Sequence, residues 1–165
     1  MRRLLSGLTA LLLLTVQAHA QLDCLGAQER SAVAVAALRS ELMVLATGCH
    51  QDDPYNAFIR RYQADLMSNE KAVDEMFKRM YGRRAQQEHD RFTTDLANGE
   101  SNAGVNLGSD FCARNSMLFN EVMALQNPTE LAAYAAGKDL VPATLDMCPQ
   151  VAQAPAHKAV VRKHH

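Results

Sequence analysis

The sequence lacks the motifs that mark several enzyme and cofactor classes. It contains no C-x-x-C-H for covalent haem, no H-E-x-x-H for a zinc protease and no G-x-S-x-G for a serine hydrolase. Its four cysteines include no C-x-x-C pair, which disfavours a zinc site built from cysteines. We therefore predict a non-enzymatic protein, with no catalytic residue, no cofactor and no metal site.

The sequence also has little net charge and no strand pattern. Its 17 lysines and arginines are balanced by 18 aspartates and glutamates, for a formal charge of −1. A chain so close to neutral is poorly suited to nucleic acid, whose binding depends on dense positive charge. Apolar residues do not alternate with period two over any useful length, so we predict an all-α fold.

Long apolar runs are missing except at the beginning of the chain. Two arginines precede an apolar run from Leu8 to Val16, and residues 18–20 form an A-H-A cleavage site. We expect residues 1–20 to be a signal peptide, which makes the protein periplasmic or secreted, and we predict no membrane span after it. Residues 21–149 are predicted to form one helical bundle domain, and residues 150–165 a disordered tail.

The stretch between the first two cysteines predicts a long helix. No proline or glycine occurs between Gly26 and Gly48, and apolar residues recur at helical spacing. The positions predicted to face inward are Ala32, Val35, Leu38, Leu42 and Leu45. A helix from Cys24 to Cys49 is about 35 Å long at about 1.5 Å per residue. Because a disulfide needs Cα atoms within about 4.4–6.8 Å, these two cysteines cannot pair with each other.

Four further helices are expected from capping residues and apolar stripes. They are a second helix from Asp53-Pro54 to a break at Ser68-Asn69, a third from about Glu70 to Leu96, a fourth from Ser109 or Asp110 to Gln126, and a short fifth, capped by Asn127, from Pro128 to Gly137. We expect at most a kink at Gly82. Short connections then favour an up-down bundle of four main helices plus the short fifth.

The alternation of helix directions decides how the cysteines pair. We expect successive helices to be antiparallel, so that the first and third helices run in the same direction. The fourth helix then begins beside the end of the first. Cys49 then meets Cys112, and the segment after the fifth helix returns Cys148 to Cys24. We predict two disulfides, Cys49–Cys112 and Cys24–Cys148, which suit an oxidising compartment.

A glycine-rich segment is the best candidate for contacts with a partner. Residues 100–110 are predicted to be the longest irregular connection in the domain. Such a segment is either a recognition surface or a flexible linker between two helices. The candidate contact residues are Gly99, Asn102, Gly104, Asn106 and Gly108. We expect an interaction protein of the envelope or the cell exterior, such as an accessory subunit, an inhibitor or an immunity-type partner of a larger protein.

Two alternative functions remain. A small-molecule or lipid carrier needs an apolar cavity between helices, for which the candidate lining is Met43, Phe58, Met80, Phe92, Phe119 and Met123. A metal-binding protein or metal chaperone has as candidate ligands His50 with Asp52 and Asp53, the pair Met76 and Met80, His89, and the tail residues His157, His164 and His165. The pattern around His89 favours a partly buried histidine that hydrogen-bonds a neighbouring helix over a metal ligand.

Overall fold

The computed structural model describes residues 24–142 and residue 145. These residues form seven α-helices, one 3-10 turn and no β-strand, which confirms the all-α prediction. The helices are α1 (Ala27–Cys49), α2 (Asp52–Arg61), α3 (Gln63–Tyr81), α4 (Ala85–Leu107), α5 (Asp110–Asn115), α6 (Leu118–Ala124) and α7 (Pro128–Gly137). The 3-10 turn, Gly82–Arg84, joins α3 to α4.

The central helix, α1, is apolar on almost every side. All five positions predicted to face inward are buried. Further buried residues of α1 are Val33, Ala34, Ala37 and Ala46. Leu38 and Leu42 belong to a cluster made mainly with α2, α6 and α7, whereas Val33 and Ala37 belong to a second cluster with α3 and α4. A helix that is apolar all round needs neighbours that cover it, and α1 is covered on two sides.

Ion pairs show how α3 lies against α1. Arg79, late in α3, donates to both carboxylate oxygens of Glu29 at 2.8 Å. Arg39 of α1 pairs with Glu70, early in α3, at 3.2 Å. The two helices are therefore antiparallel. Glu29 also accepts the N–H of Gly26 at 2.8 Å, which caps the beginning of α1.

The chain reverses at Gly82, and the predicted break at Ser68-Asn69 is wrong. Both residues lie inside α3, where the Asn69 side chain donates to the carbonyl of Asp65 at 2.7 Å and leaves the helix intact. Gly82 has a φ of 55°, a conformation that residues with a Cβ rarely adopt. The predicted third helix is therefore two helices, α3 and α4, which pack against each other.

The segment predicted to be an irregular partner loop is helical, so that prediction of its conformation is wrong. α4 continues past Gly99 and ends at Leu107. A glycine inside a helix costs only about 1 kcal/mol relative to alanine, which packing can offset. Gly108 ends the helix because it adopts a φ of 55° and its N–H donates to the carbonyls of Gly104 and Val105 at 3.0 and 3.2 Å.

The predicted fourth helix is interrupted, whereas the fifth is confirmed. Residues 116–117 separate α5, which packs on α1 and α4, from α6, which packs on α2. The interruption lets α5 contact α1 and α4 while α6 contacts α2. α7 begins at Pro128 as predicted, and the side chain of Asn127 accepts the N–H of Glu130 at 3.0 Å.

The predicted disulfide Cys49–Cys112 is present, with 5.6 Å between the two Cα atoms. It joins the end of α1 to α5 across a sequence separation of 63. Cys24 is not a free thiol. Its predicted partner, Cys148, lies outside the described residues, so the second pairing stays a prediction. The predicted signal peptide and the predicted tail also lie outside them.

By length and composition α1 is the one described helix that could span a membrane, with a mean hydropathy of 1.5 in its most apolar window. No such segment was predicted after the signal peptide. Of that window, 56% is buried inside the protein. Packing against the surrounding helices therefore accounts for the apolar composition of α1.

Candidate functional site

A groove of about 590 Å³ lies between the second halves of α1 and α4. Its lining is Met43, Val44, Thr47 and Gly48 from α1, Ala97, Ser101, Gly104 and Val105 from α4, and Gly108 and Phe111 beyond α4. Met43 and Val105 are 40% and 78% exposed, so two large apolar side chains are in contact with water here. The volume falls within the range of small-molecule sites, about 300–1,000 Å³.

Phe111 packs where the ends of α1 and α4 approach each other, and two glycines make room for its ring. A Cβ atom on Gly104 would lie 3.4 Å from the ring, and one on Gly48 would lie 3.5 Å from it. The next residue, Cys112, is bonded to Cys49. The disulfide therefore holds α5 across this end of the groove.

The predicted partner residues divide between the groove and the rest of the α4 surface. Gly104 and Gly108 line the groove. Gly99, Asn102 and Asn106 are exposed and are not part of its lining. The segment forms a helical wall, and its contact with a partner stays a prediction.

The side chains predicted to line a carrier cavity do not lie together. One apolar cluster contains Phe58, Phe119 and Met123, and the other contains Met80 and Phe92. Of the predicted lining residues, only Met43 belongs to the groove. Large side chains fill the two cores, whereas α4 lines the groove mainly with small ones.

A cluster of three ionisable side chains, the His89 cluster, lies where α3 packs on α4. His89 Nδ1 is 2.9 Å from Asp74 Oδ1, and His89 Nε2 is 3.5 Å from Glu70 Oε1. The imidazole stacks on Phe77 with 5.1 Å between ring centroids, and the His89 side chain is only 12% exposed. The prediction that His89 is partly buried against a neighbouring helix is confirmed, and the groups that it contacts there are the carboxylates of Glu70 and Asp74.

A small cavity of about 90 Å³ lies beside the His89 cluster. Glu70 and His89 line it together with Arg39, Ser40 and Met43 of α1. Ser40 is 7% exposed, and its hydroxyl has no hydrogen-bond partner within the described part of the chain. Buried hydroxyl groups are normally paired, so this one is a notable exception. The cavity lies beside the middle of both helices and the groove beside their second halves, so α1 and α4 run in the same direction.

The chain matches no protein-family model, no curated protein and no solved structure. Fold and relationship therefore supply no activity. The chemistry of the groove, of the small cavity and of the polar groups around them is the basis for inferring a function.

A second cluster of ionisable side chains, apart from the His89 cluster, lies around Glu41 of α1. Glu41 Oε1 lies 3.5 Å from the Lys138 ammonium, and Oε2 has no partner among the residues described. Burial raises the pKa of Glu41 although Lys138 opposes the shift. Burial, and then the charge of Glu41, also raise the pKa of Glu100. Burial and its hydrogen bond to Glu121 raise the pKa of Tyr134. The neutral forms of these groups are favoured in the fold.

The remaining candidate metal ligands do not form a comparable cluster within the described ranges. His50 is exposed at the end of α1 with a φ of 55°. Asp52 and Asp53 lie in the first turn of α2, where carboxylates stabilise a helix N-terminus. Met76 is buried in an apolar core, with Met80 packed against it. The three tail histidines lie outside the described residues.

The His89 cluster was not predicted because the sequence pattern places Glu70 and His89 on one helix. At about 1.5 Å per residue, these positions would lie about 28 Å apart. In the structure their side chains are 3.5 Å apart. Gly82 was the one sequence signal for this approach of Glu70 and His89. A kink at Gly82 would keep the two residues apart, whereas a reversal of the chain there packs α4 against α3. The groove has no comparable local signal.

Proposed function

We propose that the protein is a non-enzymatic binding protein of the periplasm or the cell exterior that holds an apolar ligand, such as a lipid acyl chain, in the groove between α1 and α4. The observation that carries this proposal is the groove itself, with its volume of about 590 Å³ and its exposed Met43 and Val105. Removing apolar surface from water yields about 25 cal/mol per Å², so an apolar ligand gains by covering these side chains.

Location outside the cytoplasm is supported by the Cys49–Cys112 disulfide. Disulfides persist in oxidising compartments and are rare in the cytosol. The up-down order of the helices is part of the same proposal. α5 can close the groove only if α4 ends beside the end of α1. The up-down order brings these two helix ends together.

Thermal unfolding of the full chain with and without a long-chain fatty acid tests the proposal. A ligand that binds only the native state at about 100 times its Kd stabilises it by about 2.7 kcal/mol. For a domain of this size, that energy corresponds to a rise in Tm of roughly 5–10 °C. If fatty acids and lysophospholipids neither raise Tm nor bind in a fluorescence titration, the apolar-ligand function is wrong.

Two neighbouring positions of α4 provide a matched pair of variants. Ser101 lines the groove, whereas Asn102 is exposed and does not. Ser101→Leu should fill the groove and abolish the ligand-induced rise in Tm, and Asn102→Leu should preserve it. A ligand-induced rise in Tm that survives in both variants would place the ligand outside the groove.

A protein partner is the second candidate occupant, and the exposure of Val105 favours it. This side chain is 78% exposed, so a ligand inside the groove would leave part of it in water. An apolar helix of a partner could cover it as well. Affinity purification from the native envelope should then recover one partner with the wild-type chain and with Ala103→Leu, a change at an exposed position of α4 outside the groove, but not with Val105→Asp. Recovery with all three chains would contradict this alternative.

A further inference from the structure

We propose that the small cavity beside the His89 cluster binds a divalent transition-metal ion. His89 Nε2 and Glu70 Oε1 are the protein ligands, and Asp74 is a positioning residue that orients the imidazole. This site is separate from the apolar ligand in the groove and does not depend on it.

The two carboxylates of the cluster contact different nitrogen atoms of His89. Asp74 lies 2.9 Å from Nδ1 and does not line the cavity, whereas Glu70 lies 3.5 Å from Nε2 and does line it. In a neutral imidazole whose Nδ1–H donates to Asp74, the lone pair is on Nε2. Metal-bound histidines almost always have such a carboxylate or carbonyl partner on the other nitrogen. The cluster therefore has the orientation that a metal ligand requires.

The separation of the two ligand atoms fits one ion. Zinc binds histidine nitrogen and carboxylate oxygen at about 2.0–2.2 Å, so two ligands of a tetrahedral zinc ion lie about 3.4 Å apart. The observed distance between His89 Nε2 and Glu70 Oε1 is 3.5 Å. Arg39 occupies the other oxygen of Glu70 at 3.2 Å, which orients the carboxylate and leaves Oε1 for the ion. The charge of Arg39 also weakens cation binding, which makes the site weaker than a structural zinc site.

Ser40 is independent evidence for a ligand in this cavity. Its side chain is buried, and its hydroxyl has no hydrogen-bond partner among the described residues. Ser40 lines the same cavity as Glu70 and His89. The volume of about 90 Å³ accommodates an ion and about two waters at about 30 Å³ each. A water on the ion can donate to the Ser40 hydroxyl oxygen. Mixed imidazole and carboxylate ligands suit zinc, copper or nickel rather than calcium.

Calorimetric titration of Zn²⁺ into the full chain tests the site. Because the tail histidines can bind metal by themselves, the reference protein has His157, His164 and His165 replaced by glutamine. We expect one saturable site per chain in this protein. Glu70→Gln and His89→Gln should each lower its affinity at least about tenfold, since each removes a ligand. His50→Asn, a change at an exposed histidine, should leave the affinity unchanged.

Glu70→Gln separates metal binding from folding. His89 stacks on Phe77, so its variant can lose stability, whereas the Glu70 side chain is 44% exposed. If Zn²⁺ does not bind saturably, or if it binds Glu70→Gln and His89→Gln as tightly as the reference protein, the proposal is wrong.

The positioning role of Asp74 needs its own measurement. Asp74→Asn should lower the affinity for Zn²⁺ about 10–100-fold. In the metal-free protein, nitrogen-15 NMR should show His89 protonated on Nδ1 in the wild type and a changed tautomer mixture in Asp74→Asn, at an unaltered Tm. An unchanged tautomer and an unchanged affinity would exclude the positioning role.

Discussion

At the scale of single residues, Glu41 shows how packing acts on a charged group. Its side chain is only 14% exposed, and Lys138 at 3.5 Å compensates only in part for the loss of water. One carboxylate oxygen has no partner in the described part of the protein. Burial therefore raises the pKa of Glu41, and folding favours its protonated form.

We predict that Glu41 makes the fold less stable at neutral pH than at mildly acidic pH. Because its folded pKa lies above its unfolded value, the folded state binds a proton that the unfolded state has lost in the window between them. The contribution of Glu41 to the unfolding free energy therefore rises as the pH falls through the raised pKa toward the ordinary value of 4.5. Urea unfolding across this window should show a flatter profile for Glu41→Gln than for the wild type.

Glu75→Gln is the control for that profile. The Glu75 side chain is 64% exposed, so this substitution should leave the pH profile as it is in the wild type. A profile for Glu41→Gln as steep as that of the wild type would show that burial of Glu41 has no effect on its protonation.

At the scale of helices, the capping signals of α7 were informative, whereas single residues of low helix propensity were not. Asn127 and Pro128 correctly predicted the beginning of α7, because a cap acts through hydrogen bonds within one turn. Asn69 and Gly99 were wrongly taken as helix ends, because packing outweighs the roughly 1 kcal/mol that such residues cost inside a helix. Gly82 and Gly108 follow the ends of α3 and α4 with positive φ, whereas Gly99 lies inside α4 without it.

The same limit applies to the candidate sites. Gly104 and Gly108 were singled out from the sequence and do line the groove. Their neighbours across the groove, on α1, could not be predicted because no local pattern encodes the parallel packing of α1 and α4. His89 was recognised as partly buried, but its partners depend on the reversal at Gly82.

Two glycine-to-alanine variants should have opposite effects on stability. Gly82 has φ 55° and ψ −116°, so Gly82→Ala should lower the unfolding free energy by about 1–3 kcal/mol. Gly99 lies inside α4, where a Cβ would meet nothing within 4 Å. Gly99→Ala should therefore raise the unfolding free energy by about 0.5–1 kcal/mol. Urea denaturation measures both, and destabilisation by Gly99→Ala would mean that α4 is not continuous there.

At the scale of the whole molecule, the Cys49–Cys112 disulfide joins regions that are far apart in the sequence. The Cys49–Cys112 disulfide spans 63 positions and ties α1 to α5. It thereby encloses α2, α3 and α4 in one covalent loop. Closing so long a loop restricts the unfolded chain more than the folded one.

The double variant Cys49→Ser with Cys112→Ser should lower the unfolding free energy by about 2–4 kcal/mol, because it releases that loop in the unfolded chain. It should also weaken binding of an apolar ligand, since α5 then loses its attachment across the end of the groove. Thermal unfolding and a fluorescence titration measure the two effects. A double variant with the Tm of the wild type would contradict this role of the disulfide.

The position of α1 in both apolar clusters has a consequence for how the protein comes apart. If either apolar cluster came apart, one apolar side of α1 would be exposed to water. A helix that is apolar all round is stable only when neighbouring helices cover it. The two clusters should accordingly melt together in a single all-or-none transition, with no half-folded species between.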